Sequence, residues 1–173
     1  GQALAPASDI KIDGRAIRTR ASQDLKTCRD DLVLNLEDDA PIRGERARFL
    51  IDIMNPCWIY EGADLSGVSQ IEVAVGQLPF NFQIGKDVEK IKFRPPATPD
   101  GELEVRRGSC TGTLVATLPL APAVTSQGVT VLKGPIAGAA GAKDLCFTFT
   151  QKGVDPMWAI DRVTLVAGDN HGR

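Results

Sequence analysis

An all-β sandwich is the fold class this sequence predicts, and three observations predict it. Residues 145–150 alternate strictly: Leu145, Phe147 and Phe149 share one face while Cys146, Thr148 and Thr150 take the other. That is the period of a half-buried strand. About ten short apolar runs follow one another along the chain, separated by turns rich in Gly and Pro. No stretch carries a convincing 3.6-residue period, so helices are not expected to build the core. A chain of 173 residues can bury a sizeable core within one domain.

Taken in order, residues 1–14 hold few large apolar groups and end in an Asp13-Gly14 turn. They read as a linker or lead-in, and the chain as a piece of something longer. The domain proper is placed at 15–168, with 169–173 as a tail. Strands are expected at 16–20 and 32–36, followed by an acidic turn through Glu37, Asp38 and Asp39. Residues 48–54 are apolar at nearly every position, as in a strand covered on both faces. Asn55-Pro56 breaks that strand before residues 57–60 and 69–75, the last of which alternates cleanly. Two further runs, 80–84 and 88–93, flank Gly85. A sharp turn at 95–101 precedes strands at 102–107, 113–118 and 128–132, and 134–142 is a loop of small residues. The last strand starts after Pro156, where a missing N–H is tolerated. In it Trp158 and Ile160 have one parity, Val163 and Leu165 the other. A bulge at 161–162 would bring both pairs to the core.

The four cysteines are Cys28, Cys57, Cys110 and Cys146. None is spaced as C-x-x-C, and the one histidine, His171, lies in the tail, so a zinc site has little support. An even number in a strand-rich chain points to two disulfides and a secreted, periplasmic or cell-surface protein. Of three possible pairings, Cys28–Cys57 with Cys110–Cys146 ties each half of the chain to itself. Four buried thiols in a cytoplasmic protein is the other reading. Net charge is −2, with the charges mixed along the chain, which argues against a nucleic-acid partner. No apolar run reaches the 18 or so residues of a membrane helix.

Residues 141–149, G-A-K-D-L-C-F-T-F, followed by A-I-D-R-V-T-L at 159–165, resemble the ending of family 6 carbohydrate-binding modules. Trp58-Ile59-Tyr60 is similar to that family's W-x-Y strand, and 101–106 followed by T-G-T-L at 111–114 continues the likeness, which spans roughly 16–167. Residues 75–85, V-G-Q-L-P-F-N-F-Q-I-G, resemble modules appended to bacterial glycoside hydrolases such as family 20 hexosaminidases. The resemblance implies a β-sandwich jelly roll of antiparallel strands, with residues near 77–100 as an inserted hairpin. It implies a non-catalytic, carbohydrate-binding accessory module of a secreted glycan-active protein, with a polysaccharide or oligosaccharide and the parent's catalytic domain as partners. The alternative is a structural sandwich that packs on a catalytic domain and has lost its glycan.

The family's loop-end cleft implies an aromatic before the W-x-Y strand, a second late in the chain, and an Asn before the I-D pair. Asp52, Val129 and Ala159 stand at those positions, so the conventional site looks disabled. Carbohydrate-binding candidates are therefore Trp58, Tyr60, Asp52, Asn55 and Trp158. Trp58 and Tyr60 share a strand face and are either a stacking platform or core; Trp158 is either likewise. Phe80 and Phe82 staple the insertion to the sandwich or dock it on a neighbour. The family's structural calcium would fall on Asp161, but its N-terminal acid is replaced around Arg18 and Arg20. A charge-assisted bond from Arg20 (or Arg18) to Asp161 is expected in place of the metal, and no other cofactor is implied. Catalysis finds no equipment: a Ser–His pair would need His171 from the tail, and the acids at 37–39 read as a solvated turn or a cation site.

Overall fold

The computed structural model describes residues 8–12, 15–37, 47–126 and 128–168. Twelve strands run through them: β1 (Ser8–Ile12), β2 (Arg15–Ala21), β3 (Lys26–Thr27), β4 (Val33–Glu37), β5 (Arg48–Asp52), β6 (Cys57–Asp64), β7 (Val68–Leu78), β8 (Glu102–Arg107), β9 (Thr113–Pro119), β10 (Thr130–Pro135), β11 (Ala142–Phe149) and β12 (Met157–Ala167). They form two five-stranded antiparallel sheets, ordered β1-β2-β12-β7-β10 and β3-β6-β11-β8-β9, and a β4-β5 ribbon. The sheets meet face to face through the inward parity of each strand. Leu145, Phe147 and Phe149 of β11 and Trp58 and Tyr60 of β6 face Ile71, Val73 and Val75 of β7 and Ile160, Val163 and Leu165 of β12, all buried. Each such side chain contributes about 1.5–3 kcal/mol by leaving water.

The centre of the molecule is the β7–β12 pair. Its register slips between Ile160 and Arg162, leaving Asp161 as the extra residue of the bulge expected at 161–162. The slip keeps Trp158, Ile160, Val163 and Leu165 all buried, which strict alternation could not do. On β7, Gly76 has no side chain because Phe49 of the ribbon lies over it: a Cβ there would meet the Phe49 ring at 2.6 Å. The disulfides are Cys28–Cys57 and Cys110–Cys146, the pairing favoured from the sequence.

Two expectations need correction, and one strand was not expected. The insertion is not a hairpin: residues 79–84 and 91–93 pair with no strand, Gly85–Lys90 is a 3-10 helix, and Arg94 forms a single parallel bridge to Thr150. Its alternation is real, but Phe80, Phe82, Ile84, Val88 and Phe93 use it to lie half-buried against the existing core. Residues 8–12, read as lead-in, form an edge strand on β2. Lys26–Thr27 adds a short strand on β6 that its length hid from sequence reading. The acids Asp38 and Asp39, His171 and the tail at 169–173 lie outside the described residues. No helix among the described residues is long and apolar enough to cross a membrane.

Candidate functional site

One end of the sandwich carries the turn after β5, the 79–101 insertion, the β9–β10 link and the 150–156 loop between β11 and β12. The registers bring them together: Leu78 at the end of β7 faces Met157 at the start of β12, and Thr148 near the end of β11 faces Cys57 at the start of β6. The insertion crosses this end. At its start the Phe80 N–H donates to Asp155 Oδ1 at 3.0 Å. At its finish the Gln151 N–H donates to Arg94 O at 3.2 Å, and Arg94 Nε reaches Glu104 Oε1 at 2.8 Å.

Glu102 fixes the turn that follows. Its buried carboxylate accepts from the Ala97 N–H at 3.0 Å, the Thr98 N–H at 2.7 Å, the Thr98 hydroxyl, and the Thr150 hydroxyl at 2.7 Å. Burial alone would raise its pKa. The hydrogen bonds from Thr98, Ala97 and Thr150 outweigh that and hold the carboxyl at about 2, against an ordinary 4.5. Gly101 completes the turn at φ +84°, with the space for a Cβ taken by the Thr150 carbonyl.

Two clefts flank the insertion. One, of about 240 Å³, is walled by Gln77, the 96–101 turn, the 151–156 loop and Trp158. Asp100 and Lys152 are exposed there. Gln151 donates from Nε2 to Pro156 O at 3.1 Å and to Gly153 O, while its buried Oε1 has no partner among the described residues. The other cleft, of about 530 Å³, lies between Arg29, Asp31, Leu32, Met54, Ile84, Asp87 and Lys90. Its charges are mutually paired, Arg29 to Asp31 at 3.0 Å and Lys90 to Asp87 at 3.1 Å, and it has no aromatic wall.

The expected platform residues are elsewhere. Trp58 is 0 % exposed, packs edge-on to Phe149 at 5.7 Å and donates from Nε1 to Leu50 O at 2.7 Å. Tyr60 is 2 % exposed, with the Arg20 guanidinium 5.1 Å from its ring centre. Both have the inward parity of β6, so the platform reading gives way to core. Asp52 is also buried; its carboxylate accepts from the N–H groups of Asp31, Leu32 and Met54 at 3.0–3.1 Å and ties the start of β4 to the turn after β5. Asn55 is half-buried in that turn, its N–H donating to Asp52 O at 3.1 Å. Trp158 is 3 % exposed and stacked on Phe149 at 6.4 Å, so it too is core, and of the five candidates it alone lines either of these two clefts. Asp100, Gln151, Lys152 and Asp155 belong to no motif and were not expected; a turn rich in Pro facing a second Pro-containing loop was the one available signal.

The expected bond to Asp161 is also replaced. Arg162 Nη1 lies 2.9 Å from Asp161 Oδ2, Arg20 turns to Tyr60, and Arg18 donates to Asp64 O. With Arg162 on the Asp161 carboxylate and Arg20 and Arg18 on the adjacent strand β2, the donor set does not fit calcium.

No family model and no curated protein matches the sequence. Solved structures do match. One family 6 carbohydrate-binding module aligns with a TM-score of 0.59 at 14 % identity, covering 87 % of this chain and 93 % of its own. Another, from Clostridium cellulolyticum in complex with xylose, aligns at 0.56 with 18 % identity, covering 85 % and 95 %. The fold is that of the family 6 carbohydrate-binding modules. An arabinoxylan arabinofuranohydrolase of glycoside hydrolase family 43 from Bacillus subtilis, in complex with cellotetraose, also aligns: TM-score 0.54, identity 21 %, covering 79 % of this chain but 24 % of that one. There the same sandwich is a minor part of a much longer enzyme.

Proposed function

We propose that this domain is a non-catalytic glycan-binding module of a secreted, glycan-active protein, and that its sugar lies in the loop-end cleft beside Trp158. The observation that carries the reading is the make-up of that cleft. It sets the exposed Asp100 and Lys152 and the amide of Gln151 among proline, Val124 and the buried Trp158, a mixture of apolar surface and a few directed polar groups suited to a saccharide's C–H faces and hydroxyls. Solved relatives of the fold hold xylose and cellotetraose, and the paired disulfides suit an oxidising compartment.

Phe80 and Phe82 extend the surface. Of the nine aromatic residues, six are buried, and the three that are not, Phe80, Phe82 and Phe93, all belong to the insertion. Phe80 is bonded through its N–H to Asp155 of the cleft, and its ring meets Phe82 edge-on at 5.2 Å. In this reading the insertion supplies the aromatic surface missing at Asp52 and Val129.

The second reading, a sandwich that only packs on a catalytic domain, is favoured by those same three positions and by the apolar character of the insertion's half-exposed rings. Affinity electrophoresis through gels containing xylan, β-1,3-glucan or cellulose derivatives separates the two. Retention on one polysaccharide, weakened about tenfold in Asp100→Ala/Lys152→Ala, a loss of about 1.4 kcal/mol, supports glycan binding in this cleft. Retention unchanged in the variant moves the site elsewhere, and no retention on any polysaccharide supports the packing role.

A further inference from the structure

Four sulfur atoms converge on the outer face of the β3-β6-β11-β8-β9 sheet. Cys57 and Cys146 carry the parity opposite to Trp58, Tyr60, Leu145 and Phe147, so both point away from the core. The β6–β11 register sets Cys146 opposite Ile59 and Thr148 opposite Cys57, which makes the two cysteines diagonal neighbours. Cys28 follows β3, where its N–H donates to Cys57 O at 3.2 Å. Cys110 arrives from the β8–β9 loop. The two disulfides therefore lie side by side. Cys57 Sγ is 3.4 Å from Cys146 Sγ and 3.5 Å from Cys110 Sγ, Cys28 Sγ is 3.8 Å from Cys110 Sγ, and all four fall within 4.8 Å of one another.

A tetrahedron of thiolates around a metal at the Zn–S distance of about 2.3 Å has edges of about 3.8 Å. Three of the four non-bonded sulfur distances are already near that length, so the bonded pairs need to part and Cys28 and Cys146 to draw slightly together. The site has a closed side and an entrance: Cys57 and Cys146 are buried, Cys28 is half-buried and Cys110 is exposed. Arg106 stands directly opposite Cys146 in the β8–β11 ladder, with its guanidinium paired to Glu104 at 3.0 Å.

We propose that the four cysteines form a metal site unmasked by reduction, which holds one soft divalent cation of the zinc class as a tetrathiolate. Two equivalents of a phosphine reductant supply the four electrons that convert both disulfides to four thiols, each phosphine taking oxygen from water to become its oxide. Binding the cation then releases the four thiol protons. The same four segments are thus stapled in either redox state, by two disulfides or by one metal ion. The ligands come from four separate segments, which is why their spacing resembles no zinc motif.

The test uses the whole 173-residue chain, reduced with phosphine under argon and titrated with Co²⁺ and then Zn²⁺. Expected are one equivalent of Co²⁺ with the visible absorption of tetrahedral thiolate cobalt, its displacement by Zn²⁺, and loss of all four thiols from reaction with a disulfide reagent. Near-ultraviolet dichroism of the zinc form should match that of the oxidised protein. Cys28→Ser/Cys110→Ser, left with two ligands, should bind at least a hundredfold more weakly. The proposal is overturned if four thiols stay reactive in stoichiometric zinc, if the cobalt spectrum is octahedral, or if bound zinc leaves the reduced chain without native dichroism.

Discussion

The β7–β12 pair and the 79–101 insertion are stretches of similar length with opposite ways of satisfying their backbones. In β7 and β12 the N–H and C=O groups are met by ladders on both sides, since β2 and β10 flank the pair. Side chains are then free to follow parity, and nearly all the large apolar ones are buried. In the insertion Ile91 is the one large apolar side chain that is buried, and the polar contacts that hold it are single bonds to other elements: Phe80 N–H to Asp155, Arg94 to Thr150, Gln151 and Glu104, and the 97–98 amides to Glu102. Alternation specifies a strand only where a neighbouring strand is present to complete it. Where the neighbours are loops, the same pattern makes a segment that lies across the core as a cover.

Removing a ring from the ladder region should have the largest effect. Trp58→Ala empties a fully buried site and removes the shorter of the two side-chain hydrogen bonds to Leu50 O, costing about 3–5 kcal/mol, read as a lowered denaturant midpoint with the urea slope unchanged. The analogous change in the insertion, Phe82→Ala, should cost about 1 kcal/mol and raise amide exchange at 80–93 while the β7 and β12 amides stay protected.

Acid tests the junction between the two regions. Glu102 has its folded pKa depressed to about 2 from 4.5, so its contribution is complete above pH 4.5 and is lost as pH falls towards 2. At about 1.4 kcal/mol per pH unit the loss approaches about 3 kcal/mol, measured by urea unfolding at pH 6, 4 and 2.5. In Glu102→Gln that part of the acid sensitivity should vanish, and stability at pH 6 should be lower by about 2–3 kcal/mol, because a neutral amide meets donors arranged for a carboxylate. Smallest of all, Lys152→Ala should leave stability within about 0.5 kcal/mol and change only glycan retention.

The comparison also explains what could be read from the sequence. Leu145, Phe147 and Phe149 announced β11 by parity, and the parity slip after Ile160 announced the Asp161 bulge, because burial on one face leaves a periodic trace. The cysteine pairing followed from dividing the chain into halves. The same logic failed at Phe80–Ile84, whose alternation has no strand partner, and at residues 8–12, where the alternation of Ile10 and Ile12 is too short to stand out from the flanking small and polar residues. Trp58 and Tyr60 shared a face as expected, but which face depends on the register of β6 against β11, a fact of pairing that β6 alone does not contain. The cleft residues Asp100, Gln151, Lys152 and Asp155 meet through loops whose course is set by Glu102, so no local pattern could have united them.

The most direct test is an amide chemical-shift titration of the domain with the oligosaccharide whose polymer retains it, with the sugar followed in the same tube. Saturable shifts confined to Gln77, 96–101, 151–158 and the amides of Phe80 and Phe82 are expected, with the sugar recovered intact. Shifts centred on another face, or the appearance of new reducing ends, would contradict the proposed function.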